Sequence, residues 1–561
     1  MNFFSTKFAP LTENSKLTHQ KITFPKATSR SWTKWGIALI NLGFLLTTPN
    51  LLADRALSAE RIYVSYGILD FSISVEALET YAREGKIEQE LTTYAGYLNE
   101  KQLIQLRQVL QTRADLDAVA VAQFFYTPQG EIILQRVGKV IQTQARQSGF
   151  YALRSALILA AADEEGLTPL NILKKFPTVG IRINSRSGFQ ILDQLSSTIK
   201  LTQQAVSDIE IQGRESALAN PITNLPNLRD LRESGTTKFT VERLNLRDNQ
   251  RLRIFPVDLY LPQNSKETSP LIVISHGLGS NLNSFRYVAL HLASHGFAVA
   301  ALEHPGSNSA QVGALLAGLA NEVSPPQELI DRPLDIKYLL DVLEQSYSNK
   351  INLERIGILG QSYGAYTSLA LAGADINREQ VRADCQSDSN VDFLNISLLL
   401  QCQAIYLEDA NYELKDDRIA AVIAINPLDS TIFGETEIGK IEQPIMIFGS
   451  SDDTVTPVLV EQIMPFTWLT SPPKYLALLK GGTHFSAIAE DEGSIPLPPE
   501  AVGPDPKIAQ EYVKALSLAF FSTYIGQLPE YQDYLTSSYA LSISKEALPL
   551  ILLDSLTLEN Q

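Results

Sequence analysis

The run Gly357-Ile358-Leu359-Gly360-Gln361-Ser362-Tyr363-Gly364-Ala365-Tyr366 constrains this chain more than any other stretch. The short apolar segment Arg355 to Leu359 reads as a strand buried on both faces. It passes directly into Gly-x-Ser-x-Gly, and a helix-like segment from Ala365 to Ala372 follows. In that context the motif predicts a tight strand-to-helix turn that lifts the Ser362 hydroxyl above a parallel sheet. Side chains at 360 and 364 would collide with the helix and the neighbouring strand in so sharp a turn. The pentapeptide alone is equally compatible with a Gly-rich turn that merely contains serine, so the rest of the chain decides.

From Gly235 onward, strand-like runs alternate with helical ones. Phe239 to Leu246 and Leu252 to Leu261 alternate apolar and polar residues, as paired edge strands do. Leu271 to Ser275, Phe297 to Leu302, Arg355 to Leu359, Ala420 to Ile425, Pro444 to Phe448 and Tyr475 to Leu479 are near-continuous apolar runs, the mark of parallel strands under helices. Helices are expected over Ile336 to Leu343 and Ile508 to Tyr524. The pattern predicts an α/β fold, an α/β-hydrolase sheet of about eight mostly parallel strands, preceded by a helical N-terminal domain.

A serine hydroxyl needs a positioned base to act as a nucleophile. In this fold the chain order is nucleophile, acid, histidine. Of six histidines, His19, His276, His291, His295, His304 and His484, only His484 follows Ser362. It stands in Lys480-Gly481-Gly482-Thr483-His484-Phe485, straight after the last predicted strand. The acid is expected at a strand end between them, where Phe448-Gly449-Ser450-Ser451-Asp452-Asp453-Thr454-Val455-Thr456-Pro457 offers two neighbours. Asp453 fits an Asp-x-apolar-x-Pro pattern and is preferred; Asp452 is the alternative. A buried carboxylate in that place holds the imidazole tautomer. Two backbone amides should face the developing oxyanion: Tyr363, next to the nucleophile, and Leu278 in the loop Ser275-His276-Gly277-Leu278-Gly279. His276 is read as a brace of that loop, and His304 as part of the pocket floor.

His276-Gly277-Leu278-Gly279, Glu303-His304, Gly360-Gln361-Ser362-Tyr363-Gly364 and the downstream His484 together resemble the platelet-activating-factor acetylhydrolase branch of the α/β-hydrolases. Over about residues 60–525 the chain looks most like a bacterial family of predicted hydrolases in which a helical domain of unknown function precedes the catalytic one. The resemblance implies an esterase or lipase acting on an acyl ester, including short or oxidised acyl chains of phospholipids. There is one departure. In that branch the acid follows the strand after the nucleophile helix, but here that strand ends Ile425-Asn426-Pro427, with asparagine where the aspartate would fall. Asp429, three residues on, is an outside candidate.

Between Glu60 and about Asn184 the periodicity is mostly helical, with Ser74 as an N-cap and a helix from Glu100 to Leu110. An all-helical module over 60–185, a polar linker over 186–235, a catalytic domain over 236–525 and a peripheral tail over 526–561 follow. An insertion, 373–418, contains Phe393 to Leu400 and both cysteines of the chain, Cys385 and Cys402, and reads as a lid or as an excursion packed on the body. The cysteines either close one disulfide or stay as two buried thiols. Val312 to Leu319 is read as a second apolar wall.

The net charge of −16 argues against a nucleic-acid partner. It is unevenly spread: residues 1–59 hold seven basic and two acidic side chains. This basic leader precedes the apolar stretch Trp35 to Leu46, too short for a comfortable bilayer span but suited to a signal peptide or N-terminal anchor. An extracytoplasmic body is expected. Neither cysteine lies in a metal-binding spacing, and the chemistry needs no metal or organic cofactor. The expected partner is a small-molecule or lipid ester substrate. Contact with a membrane surface stays open, as do a peptidase and a catalytically silent binding module of the same fold.

Overall fold

The computed structural model describes residues 58–558, apart from 67–68, 223–227, 264–266, 387–394 and 490–498. The leader with its Trp35-to-Leu46 stretch, and Phe393 and Leu394 of the insertion, lie outside the described residues. Among the described residues no helix is long and apolar enough to cross a membrane.

The N-terminal module is not all helical. Strands β1 (Arg61–Tyr66), β2 (Leu69–Ser74), β3 (Ile141–Thr143) and β4 (Gly180–Ile183) form a sheet in the order β2-β1-β4-β3. The strands are three to six residues long, and two lie at helix ends, so a helical period read over longer windows hides them. The helices expected around them do form. Val75–Glu84 is capped by the Ser74 side chain accepting from the Ala77 amide, and Glu100–Gln111 is closed by an Asn99/Gln102 capping box. Leu134, Ala156, Phe176 and Ile181 give the module a core of its own.

The polar stretch read as a linker is largely one helix, Ser185–Ala219. Its lower half is amphipathic, and Ala205, Val206 and Ile209 enter the catalytic core. Gly213 lies so close to the sheet edge that a Cβ there would come within 2.3 Å of the Ile551 side chain. Glu210 pairs with Lys480 at 2.8 Å, and Gln212 exchanges two hydrogen bonds with the backbone of Thr557.

The catalytic domain holds β5 (Phe239–Asp248), β6 (Arg253–Pro262), β7 (Ser269–Ser275), β8 (Ala298–Leu302), β9 (Ile351–Gln361), β10 (Ile419–Ile425), β11 (Ile445–Ser450), β12 (Lys474–Leu479) and β13 (Leu550–Leu553). They make one nine-stranded sheet in the order β13-β12-β11-β10-β9-β7-β8-β6-β5. The six strands from β8 to β12 in that order run parallel, and the antiparallel ones are at the margins. Apolar residues on both sides of each central strand feed two cores. Leu271 and Val273 of β7 go to one, and Ile272 and Ile274 to the other. The helices Glu328–Tyr347 and Tyr363–Leu371 cover the first, and Arg286–Ser294 and Pro506–Tyr524 cover the second.

The tail from Gly526 is not peripheral. It supplies the helix Ser537–Ile543 and strand β13, which pairs antiparallel with β12. The motif-led reading stops at the last helix of the familiar order, whereas the leucines at 548, 550, 552 and 553 are all buried. A chain ended at Gly526 loses these side chains from the core, at about 1.5–3 kcal/mol each. We expect its thermal midpoint to fall by about 10 °C or more; an unchanged melt would return the tail to the periphery.

Candidate active site

Strand β9 ends at Gln361 and the next helix begins at Tyr363, so Ser362 occupies the turn with φ 54° and ψ −115°. A non-glycine residue at such a φ is strained and is held there by its surroundings. The Ser362 amide donates to Ile425 O at 2.8 Å, which ties the turn to β10. The flanking glycines are steric necessities. A Cβ on Gly360 would sit 2.0 Å from Gly364 O, and one on Gly364 would sit 2.0 Å from Ser275 O. Both obstacles are backbone, which cannot swing aside.

His484 comes from the loop after β12 and is buried. Its Nδ1 lies 2.7 Å from Asp453 Oδ2. A carboxylate only accepts, so Nδ1 carries the proton and Nε2 is left as an acceptor. Nε2 faces the side-chain amide of Gln361 at 3.3 Å, beside Ser362 in the chain. Asp453 itself accepts from the amides of Val455 and Thr456, from Thr456 Oγ1 and from Asn426 Nδ2, all within 2.9 Å. The asparagine that replaces the expected aspartate therefore donates to Asp453 from the neighbouring strand end. Asp452 points elsewhere. It is exposed, accepts from Ser451, and lines an outer cavity of about 700 Å³ with Glu210 and Lys480.

Asp429, the outside candidate, is fully buried against Glu461 rather than His484. Burial, then the Glu461 charge, holds its carboxyl well above the usual range, so it stays protonated. Glu461 collects the hydrogen bonds of this pocket. Its Oε1 accepts from the side chains of Asn395, Ser397, Gln401 and Ser430, and its Oε2 from the amides of Asp429 and Ser430. In this way the described part of the 373–418 insertion is packed against the acid side of the site. Cys385 and Cys402 form a disulfide within it.

On the other flank Gly279 gives its amide to Ser307 O and Ser280 gives its own to Gly277 O. Among the described residues the Leu278 amide, like that of Gly277, is not spent on a backbone carbonyl. Tyr363 opens its helix, so its amide is among those with no partner inside the helix. Arg332, which sequence reasoning missed, braces both. Its guanidinium donates to His276 O, to Ser275 Oγ at 3.3 Å, to Ser307 Oγ at 2.6 Å and to Thr367 Oγ1 at 3.1 Å, and it lies 4.5 Å from the Tyr363 ring centroid. Complete burial lowers its pKa to about 10, which leaves it charged at neutral pH.

His304 Nδ1 lies 3.1 Å from Asp335 Oδ2, its Nε2 lies 3.0 Å from Ser275 Oγ, and its amide donates to His276 Nε2. Burial, reinforced by the Arg332 charge, holds both imidazoles well below the ordinary histidine range, hence neutral. His304 thus lies behind the oxyanion loop as part of its support. One signal was available: Glu328, Arg332 and Asp335 recur at helical spacing on the face that also carries Leu329 and Ile336.

Residues 58–184 match a family model described as alpha/beta hydrolase of unknown function (DUF1400), and residues 254–331 match platelet-activating factor acetylhydrolase, isoform II. The chain has the α/β-hydrolase fold and resembles the acetylhydrolase family over part of its length. The chain is 30% identical to a platelet-activating factor acetylhydrolase of Canis lupus familiaris over 158 residues, covering 21% of this chain and 35% of that protein. It is 45% identical to the one of Cavia porcellus over 49 residues, covering 9% and 11%. The chain therefore spans about a third or less of the curated relatives it matches. The second family match takes in the oxyanion loop and His304 and ends at Asp331, ahead of the Ser362 turn.

Two outcomes check the site's construction. Gly364→Ala puts a methyl into Ser275 O and is expected to yield either no soluble protein or a site that no longer reacts with a serine-directed probe. Asp429→Asn tests the buried carboxyl pair. The folded-state pKa of Asp429 is raised, so its contribution is intact below about pH 4 and erodes as pH rises. The variant should therefore melt like the parent at pH 4 and above it at pH 8, and an equal shift at both would remove the pair from the stability balance.

Proposed function

We propose that this hydrolase cleaves carboxylic esters through an acyl-enzyme, with Ser362 as nucleophile, His484 as base and Asp453 as acid. The 2.7 Å contact between Asp453 and the His484 ring beside the strained Ser362 turn carries the reading. His484 Nε2 takes the Ser362 proton as Oγ attacks the ester carbonyl. The Leu278 and Tyr363 amides stabilise the oxyanion, and His484 then returns the proton to the leaving alcohol. Water repeats the sequence to release the acid. The apo contact of Nε2 with Gln361 yields to Ser362 when substrate arrives, since such bonds are often loose without it. No metal or organic cofactor enters any step.

Acyl esters of phospholipids, short or oxidised, are the proposed substrates. The likeness of residues 254–331 to the acetylhydrolase family and the partial match to two platelet-activating factor acetylhydrolases support this class. An extracytoplasmic location is supported by the Cys385–Cys402 disulfide and by the basic, apolar leader.

A fluorophosphonate probe should label Ser362 in the folded protein and fail to label Ser362→Ala; no label on the parent would sink the enzyme reading. Asp453→Asn should lower kcat on p-nitrophenyl esters by about 10³–10⁴ through the wrong imidazole tautomer. Asp452→Asn should leave it unchanged. Equal losses in the two would move the acid elsewhere.

A further inference from the structure

The helix Ser185–Ala219 descends along the margin of the catalytic sheet in a known direction. Glu210 meets Lys480, just past the C-terminal end of β12. Gly213 meets Ile551, which pairs with Leu478, and Gln212 meets Thr557, beyond the end of β13. Because β13 runs antiparallel to β12, later helix residues lie toward the N-terminal ends of the parallel strands. Residues 185–201, roughly 25 Å of helix at 1.5 Å per residue, therefore project past the C-terminal ends. That is the edge from which Ser362, Asp453 and His484 emerge. At the projecting end Ser185 Oγ donates to Ser65 O, which joins the helix to β1 of the N-terminal module. The helix also packs on the Leu459–Ile463 turn that carries Glu461, on the acid flank.

The module has a second foothold on the opposite flank. Its helix Ala118–Phe125 packs against the helix Ser309–Leu316. The latter starts on the oxyanion rim, with the Ser309 amide donating to Ser280 O at 2.8 Å. Strand β9 lies between β7 and β8 on that side and β10 to β12 on the other. The module thus has footholds on both sides of β9, the strand that leads into Ser362.

The facing side of Ala118–Phe125 is identifiable. A Cβ on Gly318 would lie 3.1 Å from Gln123 Nε2, so Gln123 points at the catalytic domain. Ala120 and Phe124 share its face by helical spacing. Phe125 packs into the module's own core, whereas half-buried Phe124 is not part of it. The helix AVAVAQFF carries no charge, and its partner Ser309–Leu316 is equally uncharged.

We propose that the N-terminal module is the roof of the active site. Its Ala120–Gln123–Phe124 face, set on the Ser309–Leu316 helix, closes the far end of the acyl cleft and limits the length of acyl chain that can be hydrolysed. This rests on the ester-hydrolase reading above. An apolar, uncharged wall suits an acyl chain, and each methylene gained or lost in such a pocket is worth about ten-fold or more in kcat/KM.

The test compares kcat/KM for p-nitrophenyl dodecanoate and butyrate. In the double variant Gln123→Ala/Phe124→Ala the ratio should rise by about ten-fold or more. Tyr97→Ala, at an 85% exposed position on the same module, should keep the parental ratio. Gln123→Trp, which fills instead of emptying, should lower it, and this arm stands if the double variant does not fold. A ratio unchanged or moved the other way overturns the roof. Fluorophosphonate labelling of Ser362 in each protein separates the two claims. An unlabelled parent sinks the hydrolase reading, whereas labelled variants with a parental ratio sink the roof alone.

Discussion

Much of the catalytic edge depends on a guanidinium that solvent does not reach. Burying an unpaired Arg332 would cost several kcal/mol, so the interior around it is built to satisfy it. Ser307 relays its charge to Glu328, while Ser275, Thr367 and the carbonyl of His276 take its remaining donors. A second layer, Arg253 with Glu328 and Asp335, neutralises those carboxylates in turn. The two histidines in the layer stay neutral and act as hydrogen-bond spacers. Such a network is useful only when complete, because each missing partner strands another buried polar group. What it fixes is the register of the oxyanion loop relative to the nucleophile turn.

The acid flank repeats the arrangement with opposite sign. Glu461 gathers six donors from two chain segments, and burial beside it holds the Asp429 carboxyl well above the usual range. The insertion, the end of β10 and the segment after β11 are thereby fastened together beside Asp453. Asn426, at φ 45°, reaches from β10 to the same carboxylate. Ser362, Asp453 and His484 thus sit between the buried Arg332 on one side and the buried Glu461 on the other. Each of these two is held by several hydrogen bonds.

The parts legible in sequence were those with local rules. The Ser362 turn follows from glycines whose absent side chains leave room for backbone, and the parallel core from unbroken apolar runs. His484 stood out by simple scarcity of histidine, and Asp453 by the residues after it. Arg332, Asp335 and Glu461 were not legible because their partners lie tens of residues away and become visible only once strands are ordered. Asn426 looked like a loss when read against a family pattern. In space it is a hydrogen-bond donor to the carboxylate one strand over. The N-terminal strands and β13 were missed for a different reason: each is short, and pairing rather than composition makes it a strand.

The connection between the two halves of the chain is a rod. A flexible linker would let the module swing clear for each substrate, but Ser185–Ala219 has one unbroken hydrogen-bonded backbone with its lower half sunk in the catalytic core. Rotating the upper half would break helical bonds or pull Ala205, Val206 and Ile209 out of their packing. With the module as the proposed roof, traffic to Ser362 would pass through gaps between side chains while the framework stands still. On that proposal bulk would be screened before chemistry begins, and a lipid substrate would have to leave its bilayer as a single molecule to be admitted.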